Sequence, residues 1–295
     1  MMQFDARICE LGEGALWHPL RAELFWFDIT GRRLLARKPG TGATREVSLP
    51  EMCSAAGWID AERLLVASET ALLVFDIAAE TLTPLCLLEA DNPLTRSNDG
   101  RADPWGGFWI GTMGKSAETG AGAIYRFAGG ELRRLVGQVT IPNAICFAPD
   151  RSVAYFADTA IAQVFRVALD GDGWPAAAPE LFLDCGLLGV YPDGAVTDAE
   201  GALWIALWGE GTVLRMAPDG TLGARLDLPA PHTTCPAFGG ADFTTLYCTS
   251  ATQGLDAEAL NSAPQSGATF AIMGAGQGRP EPAVTLVSFG SGDQP

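Results

Sequence analysis

Apolar and polar positions alternate along this chain in short paired runs, and the pairs recur. "LFWFDITGRRLLAR" from Leu24, "LLVASETALLVFD" from Leu64 and "FWIGTMG" from Phe108, which leads on to "AIYRF", share one form. So do "AYFADTAIAQVFRV" from Ala154, "LWIALWGEGTVLRM" from Leu203 and "LYCTSATQGL" from Leu246, which leads on to "ATFAI". Each is an apolar, aromatic-rich run, a polar turn and a second such run, with longer connections in the third and sixth. Turn signals such as Gly-Arg and Gly-Glu-Gly predict hairpins between the runs. The six starts lie 40, 44, 46, 49 and 43 residues apart. A period of roughly 40 to 50 residues with several strands per unit is that of β-propeller blades, which usually number about 4 to 8. The expected fold is therefore all-β, a six-bladed β-propeller occupying residues 1–295 as one domain. A β-sandwich with coincidental spacing is the alternative, and a helical fold fares worse because no segment sustains an apolar period of 3.6.

Glu13, Cys53, Asn98, Asn143, Asp193 and Cys235 stand 10 or 11 residues before the six starts. The innermost strand of a blade lines the axial channel, so residues at one offset converge on one of its ends. Two carboxylates and two carboxamides there predict a site for a hard divalent cation such as Ca²⁺, Mg²⁺ or Mn²⁺, completed by water. Any one of them alone reads as an Asx-turn at the start of a strand. The matched offsets of Glu13, Asn143 and Asp193 carry the functional reading. "RSNDG", from Arg96 to Gly100, is expected to be a turn that doubles as the channel mouth. Cys53 and Cys235 fill the remaining offsets, either as soft ligands suited to Fe²⁺ or Zn²⁺ or, the favoured expectation, as small buried side chains.

Composition narrows the partners. The chain is 48% hydrophobic with 35 glycines and 19 prolines, which excludes disorder and suits a loop-rich β protein. Nineteen basic residues against 35 acidic ones give a net charge of −16. That field offers no footprint for nucleic acid and is repelled by an anionic membrane surface. No apolar run approaches the roughly 18 to 20 residues of a membrane span, and "MMQFDARICELGEG" lacks the pattern of a signal peptide. Seven scattered cysteines, never spaced C-x-x-C, argue against a zinc cage or a disulfide framework and point to reduced thiols in a cytoplasmic protein. The only histidines are His18 and His232, which excludes H-E-x-x-H chemistry, and G-x-S-x-G is absent. His18, beside Trp17 and Pro19, reads as structural, whereas His232 is a weaker candidate for substrate contact. The segment after Gly274 reads as partly loose. Alternatively "AVTLVSF" (residues 283–289), or the N-terminal "QFDARI", supplies the outer strand of the sixth blade. A closed propeller leaves few bare edges, so a monomer is expected.

Several longer stretches carry a family resemblance: "GEGALW", "RSNDGRADPWGGFWIGTM", "GAIYRF", "IPNAICFAPD" and "YPDGAVTDAEGALWIALWGEG". From "LGEGALWHP" to "GATFAI" the chain resembles the regucalcin (senescence marker protein), gluconolactonase and luciferin-regenerating enzyme family. "LPAPHTTCPAFGG", Leu228 to Gly240, brings it nearest the bacterial sugar lactonase branch. The resemblance implies a six-bladed propeller with one catalytic divalent metal ion (Ca, Mn, Zn, Mg or Fe) held by Glu13, Asn143 and Asp193. It also implies that Arg96 and Asn98 of "RSND" contact substrate. The expected reaction is hydrolysis of a small sugar lactone to the sugar acid, with Asp193 also as general base. Two positions depart from the family pattern: Ala144 replaces the usual glycine after the ligand asparagine, and "GKSAETG" lacks a substrate-binding glutamate that some members carry shortly after "GTM". Lys115, Ser116 and Glu118 are the candidates to replace it. The rival readings are a paraoxonase-type phosphotriesterase or aryl-esterase, an interaction propeller, and calcium binding without turnover.

Overall fold

Six four-stranded antiparallel sheets make up the protein, whose computed structural model describes residues 1–286. Blades 1 to 5 span residues 12–48, 53–87, 95–139, 142–184 and 191–227, each built from four strands in chain order. Blade 6 takes three strands from residues 233–273 and its outermost from Met2–Asp5, which pairs with Thr269–Met273. The N-terminal strand therefore closes the ring. "AVTLVSF" does not: residues 283–286 form no strand, and 287–289 lie outside the described residues. Each innermost strand contacts the next around the ring, from Gly12–His18 through Thr233–Gly239 and back. The paired runs of the sequence are the two middle strands of each blade, joined in register as at Phe25↔Ala36 and Ile205↔Leu214.

Alternation places side chains on both faces of every blade, so apolar slabs form between neighbours. Among the described residues there are six such clusters, one per junction; Phe25, Phe27 and Phe75 lie between blades 1 and 2, and Trp204, Phe238 and Phe270 between blades 5 and 6. Trp204 meets Phe238 edge to face at 5.7 Å, the geometry its quadrupole favours. Fully burying one such side chain stabilises the fold by about 1.5–3 kcal/mol, so each junction is a substantial fraction of the net stability. Innermost strands are buried at nearly every position, whereas outermost ones such as Leu222–Asp227 are largely exposed.

Every innermost strand is bulged close to its start. The register slips between Glu13 and Leu16, Cys53 and Ala55, Ser97 and Gly100, Asn143 and Cys146, Pro192 and Ala195, and Thr233 and Pro236. This corrects the expectation for "RSNDG": it is no turn but part of the continuous strand Thr95–Ala102, with its bulge at Asn98 and Asp99. A bulge adds a residue without ending the strand and re-aims the side chains it carries.

Of the segment after Gly274, the described residues 275–286 are tied down rather than loose. Ala199 N donates to Gln277 O at 2.7 Å, Val284 N to Trp58 O at 2.8 Å and Thr285 N to Gly106 O at 2.8 Å. Val284 is buried in the cluster between blades 2 and 3. Composition suggested looseness, but backbone pairing with blades 2, 3 and 5 fixes residues 275–286. No helix among the described residues is long and apolar enough to cross a membrane.

Candidate active site

A pocket of about 560 Å³ opens where the innermost strands begin, and Glu13, Arg96, Asn98, Asn143 and Asp193 all line it. They come from blades 1, 3, 4 and 5, so closure of the ring is what assembles them. Glu13 and Asn143 immediately precede bulge residues in the left-handed region, Gly14 at φ +60° and Ala144 at φ +54°. A Cβ at Gly14 would lie 2.2 Å from Ser54 O, so that position needs glycine on two counts. Ala144 adopts the same conformation with its methyl group fully buried between blades 4 and 5. An L-residue there carries about 1–2 kcal/mol of strain.

Hydrogen bonds orient the set. Arg96 Nη1 donates to Asn98 Oδ1 at 2.8 Å, and Asn98 Nδ2 donates to Asn143 Oδ1 at 3.0 Å and to Pro142 O at 2.9 Å. Asn143 Nδ2 donates to Thr159 Oγ1 at 2.8 Å, which in turn donates to Pro192 O at 2.6 Å. The Asn143 carboxamide is thus held at both ends, and its Oδ1 keeps a second lone pair. Glu13 and Asp193 are close enough to share a hydrogen bond. Burial pushes both carboxyls well above the usual range, helped by the charge of Asp99 on Glu13 and of Glu13 on Asp193. Arg96 is buried beside them, and burial lowers it to about 10 against the opposing pull of Glu13 and Asp193.

Two desolvated carboxylates next to a fixed carboxamide oxygen have the oxygen-donor chemistry that could hold a hard divalent cation. Among the described residues no three His, Cys, Asp or Glu side chains group as ligands. Neither cysteine at the matched offsets lines the pocket. Cys53 turns into the apolar cluster between blades 1 and 2, and Cys235 into that between blades 6 and 1. Beside them in the bulges, Ser54 Oγ donates to Ser97 Oγ at 2.7 Å and Thr234 Oγ1 donates to Gly12 O.

The sequence model of the SMP-30/gluconolactonase/LRE-like region matches residues 11–252. The chain belongs to that family. A Rhizobium meliloti protein provisionally named a sugar lactone lactonase is 44% identical over 94% of each chain. The 6-deoxy-6-sulfogluconolactonase of Pseudomonas putida is 35% identical, covering 88% of this chain and 90% of its own. The crystal structure of a calcium-binding protein, regucalcin, from Agrobacterium tumefaciens superposes with a TM-score of 0.94 at 42% identity over 96% of each chain.

Against this family's pattern, the stretch after "GTM" resolves into distinct parts. Lys115 and Ser116 line the pocket, and Lys115 Nζ pairs with Glu69 at 2.5 Å. Glu118 is absent from the pocket wall and accepts from Ser116 N at 3.1 Å, within its own turn. His232 does not line the pocket; it stacks at 4.0 Å behind Trp208, which does. His18 is buried with Nε2 2.9 Å from Asp60 O, as its structural reading implied. Thr159 and Tyr191 are pocket residues that the sequence reading passed over. Thr159 sits on a short 3₁₀ turn after a blade 4 strand, and only its "ADT" hairpin context hinted at it.

Proposed function

We propose that this chain hydrolyses a sugar lactone to the sugar acid, with Glu13, Asn143 and Asp193 as ligands of one divalent cation and Asp193 also as general base. The observation that carries this reading is the pair of buried, mutually opposed carboxylates set against a hydrogen-bonded Asn143 at the floor of a pocket. When bound, the cation supplies Lewis-acid polarisation of the lactone carbonyl and stabilises the oxyanion that develops there. Asp193 is the carboxylate placed to accept a proton from the attacking water. Arg96 orients the lactone through its free guanidinium donors. Asn98 has both amide hydrogens engaged, so it fixes Arg96 and Asn143 and offers substrate only the second lone pair of Oδ1. A pocket of about 560 Å³ accommodates a single-ring sugar with water. Relatives named for sugar lactones support the substrate class, and the regucalcin relative supports calcium among the candidate ions.

The test is acid release from a panel of sugar lactones, corrected for their spontaneous opening. It uses chelator-stripped protein, protein given Ca²⁺, Mn²⁺, Mg²⁺, Zn²⁺ or Fe²⁺, and Asp193→Ala. Turnover restored by one of these ions and lost in the variant is the expected result. Hydrolysis of paraoxon in preference to every lactone would transfer the site to the phosphotriesterase reading.

A further inference from the structure

Beneath the pocket, on the side away from its opening, one guanidinium ties together the three blades that contribute four of the five site residues. Arg101 stands three residues after Asn98 on the innermost strand of blade 3. Its Nε donates to Ile145 O at 3.0 Å and its Nη2 to Ala195 O at 2.8 Å. Ile145 lies in the bulge that follows Asn143, and Ala195 closes the bulge that contains Asp193. Asp99 strengthens the first tie, its Oδ2 accepting from Ile145 N at 2.7 Å. Arg101 is buried, and the charge that answers it comes from the far end of the chain: its Nη1 is paired with Glu281.

Glu281 is delivered by a segment built to hold it. "RPEP" places prolines on both sides, which fixes φ at 280 and 282 and restricts Glu281 itself to extended backbone. Trp58 Nε1 donates to Glu281 O at 2.8 Å, and Arg279 Nη2 donates to Phe147 O at 2.6 Å and Thr197 Oγ1 at 3.1 Å. Phe147 and Thr197 end the innermost strands of blades 4 and 5, the strands that Arg101 bridges higher up.

We infer that Glu281 is a positioning residue for the catalytic centre: by neutralising Arg101 it holds the bulges of blades 4 and 5 at the spacing that aims Asn143 and Asp193. The inference rests on the reading of those two residues as cation ligands. A carboxylate from the C-terminal segment thus acts on the site through one intermediary, as the outer partners of metal ligands commonly do. A carboxylate present only to staple the fold would act on stability alone.

The test compares Glu281→Ala with Val284→Ala, a cavity-making change in the same segment whose side chain is buried in the cluster between blades 2 and 3. Each full-length protein is examined by Mn²⁺ titration, by hydrogen exchange of peptides spanning 142–147 and 191–197, and by Tm. Glu281→Ala should weaken Mn²⁺ binding about tenfold or more and speed exchange in both peptides by a similar factor. Val284→Ala should lower Tm yet leave both readouts within about twofold of wild type. Glu281→Gln keeps an acceptor oxygen without the charge; it should fall between the two, and it carries the comparison if the alanine variant does not fold. Equal exchange in the Glu281 and Val284 variants at matched loss of Tm would overturn the inference. Should wild-type protein bind no Mn²⁺, the ligand reading fails separately, and the exchange comparison alone decides whether Glu281 positions these bulges.

Discussion

Asp193 concentrates the conflict between stability and chemistry at a single residue. It is buried beside Glu13; burial raises the proton affinity of both carboxyls, and the charge of Glu13 raises that of Asp193 further. Replacing it with asparagine removes one buried charge while keeping the shape. Asp193→Asn should therefore raise the Tm of chelator-treated protein, abolish the further rise caused by added divalent ion, and cut kcat by about 10²–10⁴-fold, the usual range for a lost general base. A variant with unchanged lactone turnover would remove Asp193 from the chemistry. Thr159 makes the complementary case. Its hydroxyl links Asn143 Nδ2 to Pro192 O, so Thr159→Val strands a buried donor and a buried carbonyl. We expect a loss of about 1–3 kcal/mol in urea unfolding, and cation affinity weakened about 10–100-fold in a Mn²⁺ titration. Counting back from strand starts located Glu13, Asn98, Asn143 and Asp193, yet the same count landed on Cys53 and Cys235, which face apolar clusters. The cause is the bulge. Its place relative to the counted residue varies, with Glu13, Cys53 and Asn143 before it and Asn98, Asp193 and Cys235 within it, so a fixed count does not keep to one face of the strand. Thr159, contributed by a hairpin tip, lies outside any such count.

At the scale of elements, what the sequence revealed follows burial. The two middle strands of every blade are packed on both faces, so their apolar runs stand out and their spacing counts the blades. Outermost strands such as Thr44–Ser48 and Leu222–Asp227 are largely exposed, and nothing in "TREVS" or "LGARLD" sets them apart from loops. The closing strand is the instructive intermediate. Met2–Asp5 alternates, but its partner lies at the opposite end of the chain, and local pattern carries no information about which of two candidate segments pairs there. What decides is contact: Phe4 is buried edge-on against Tyr247 at 4.8 Å and lies under the Arg37 guanidinium at 5.3 Å. Phe4→Ala removes the one large apolar anchor of this strand. The expected cost is about 3–5 kcal/mol in urea unfolding. A loss below about 1 kcal/mol would mean that the strand contributes little to closure.

For the whole molecule, ring closure leaves the thiols with almost no route to solvent. Six of the seven cysteines are buried and all seven are free; Cys86, on the outermost strand of blade 2, is only half-buried. Burial pushes the thiols of Cys9, Cys53, Cys146 and Cys185 up to about 12, and that of Cys86 upward too. The thiolate is the reactive form, so at neutral pH exposure and ionisation both protect the set. Opening a single blade junction would uncover Cys53 between blades 1 and 2, Cys146 between blades 4 and 5, or Cys235 between blades 6 and 1. Thiol labelling therefore reports on the integrity of the ring junction by junction. In native protein an aromatic disulfide reagent should label Cys86 first, with the other six following only at the rate of global unfolding. Peptide mapping after partial labelling checks the order. Early modification of Cys146 or Cys235 would show instead that the junction beside Asn143, or that beside Glu13, opens below the global transition. The pocket would then belong to a locally mobile part of the propeller rather than to its most stable unit.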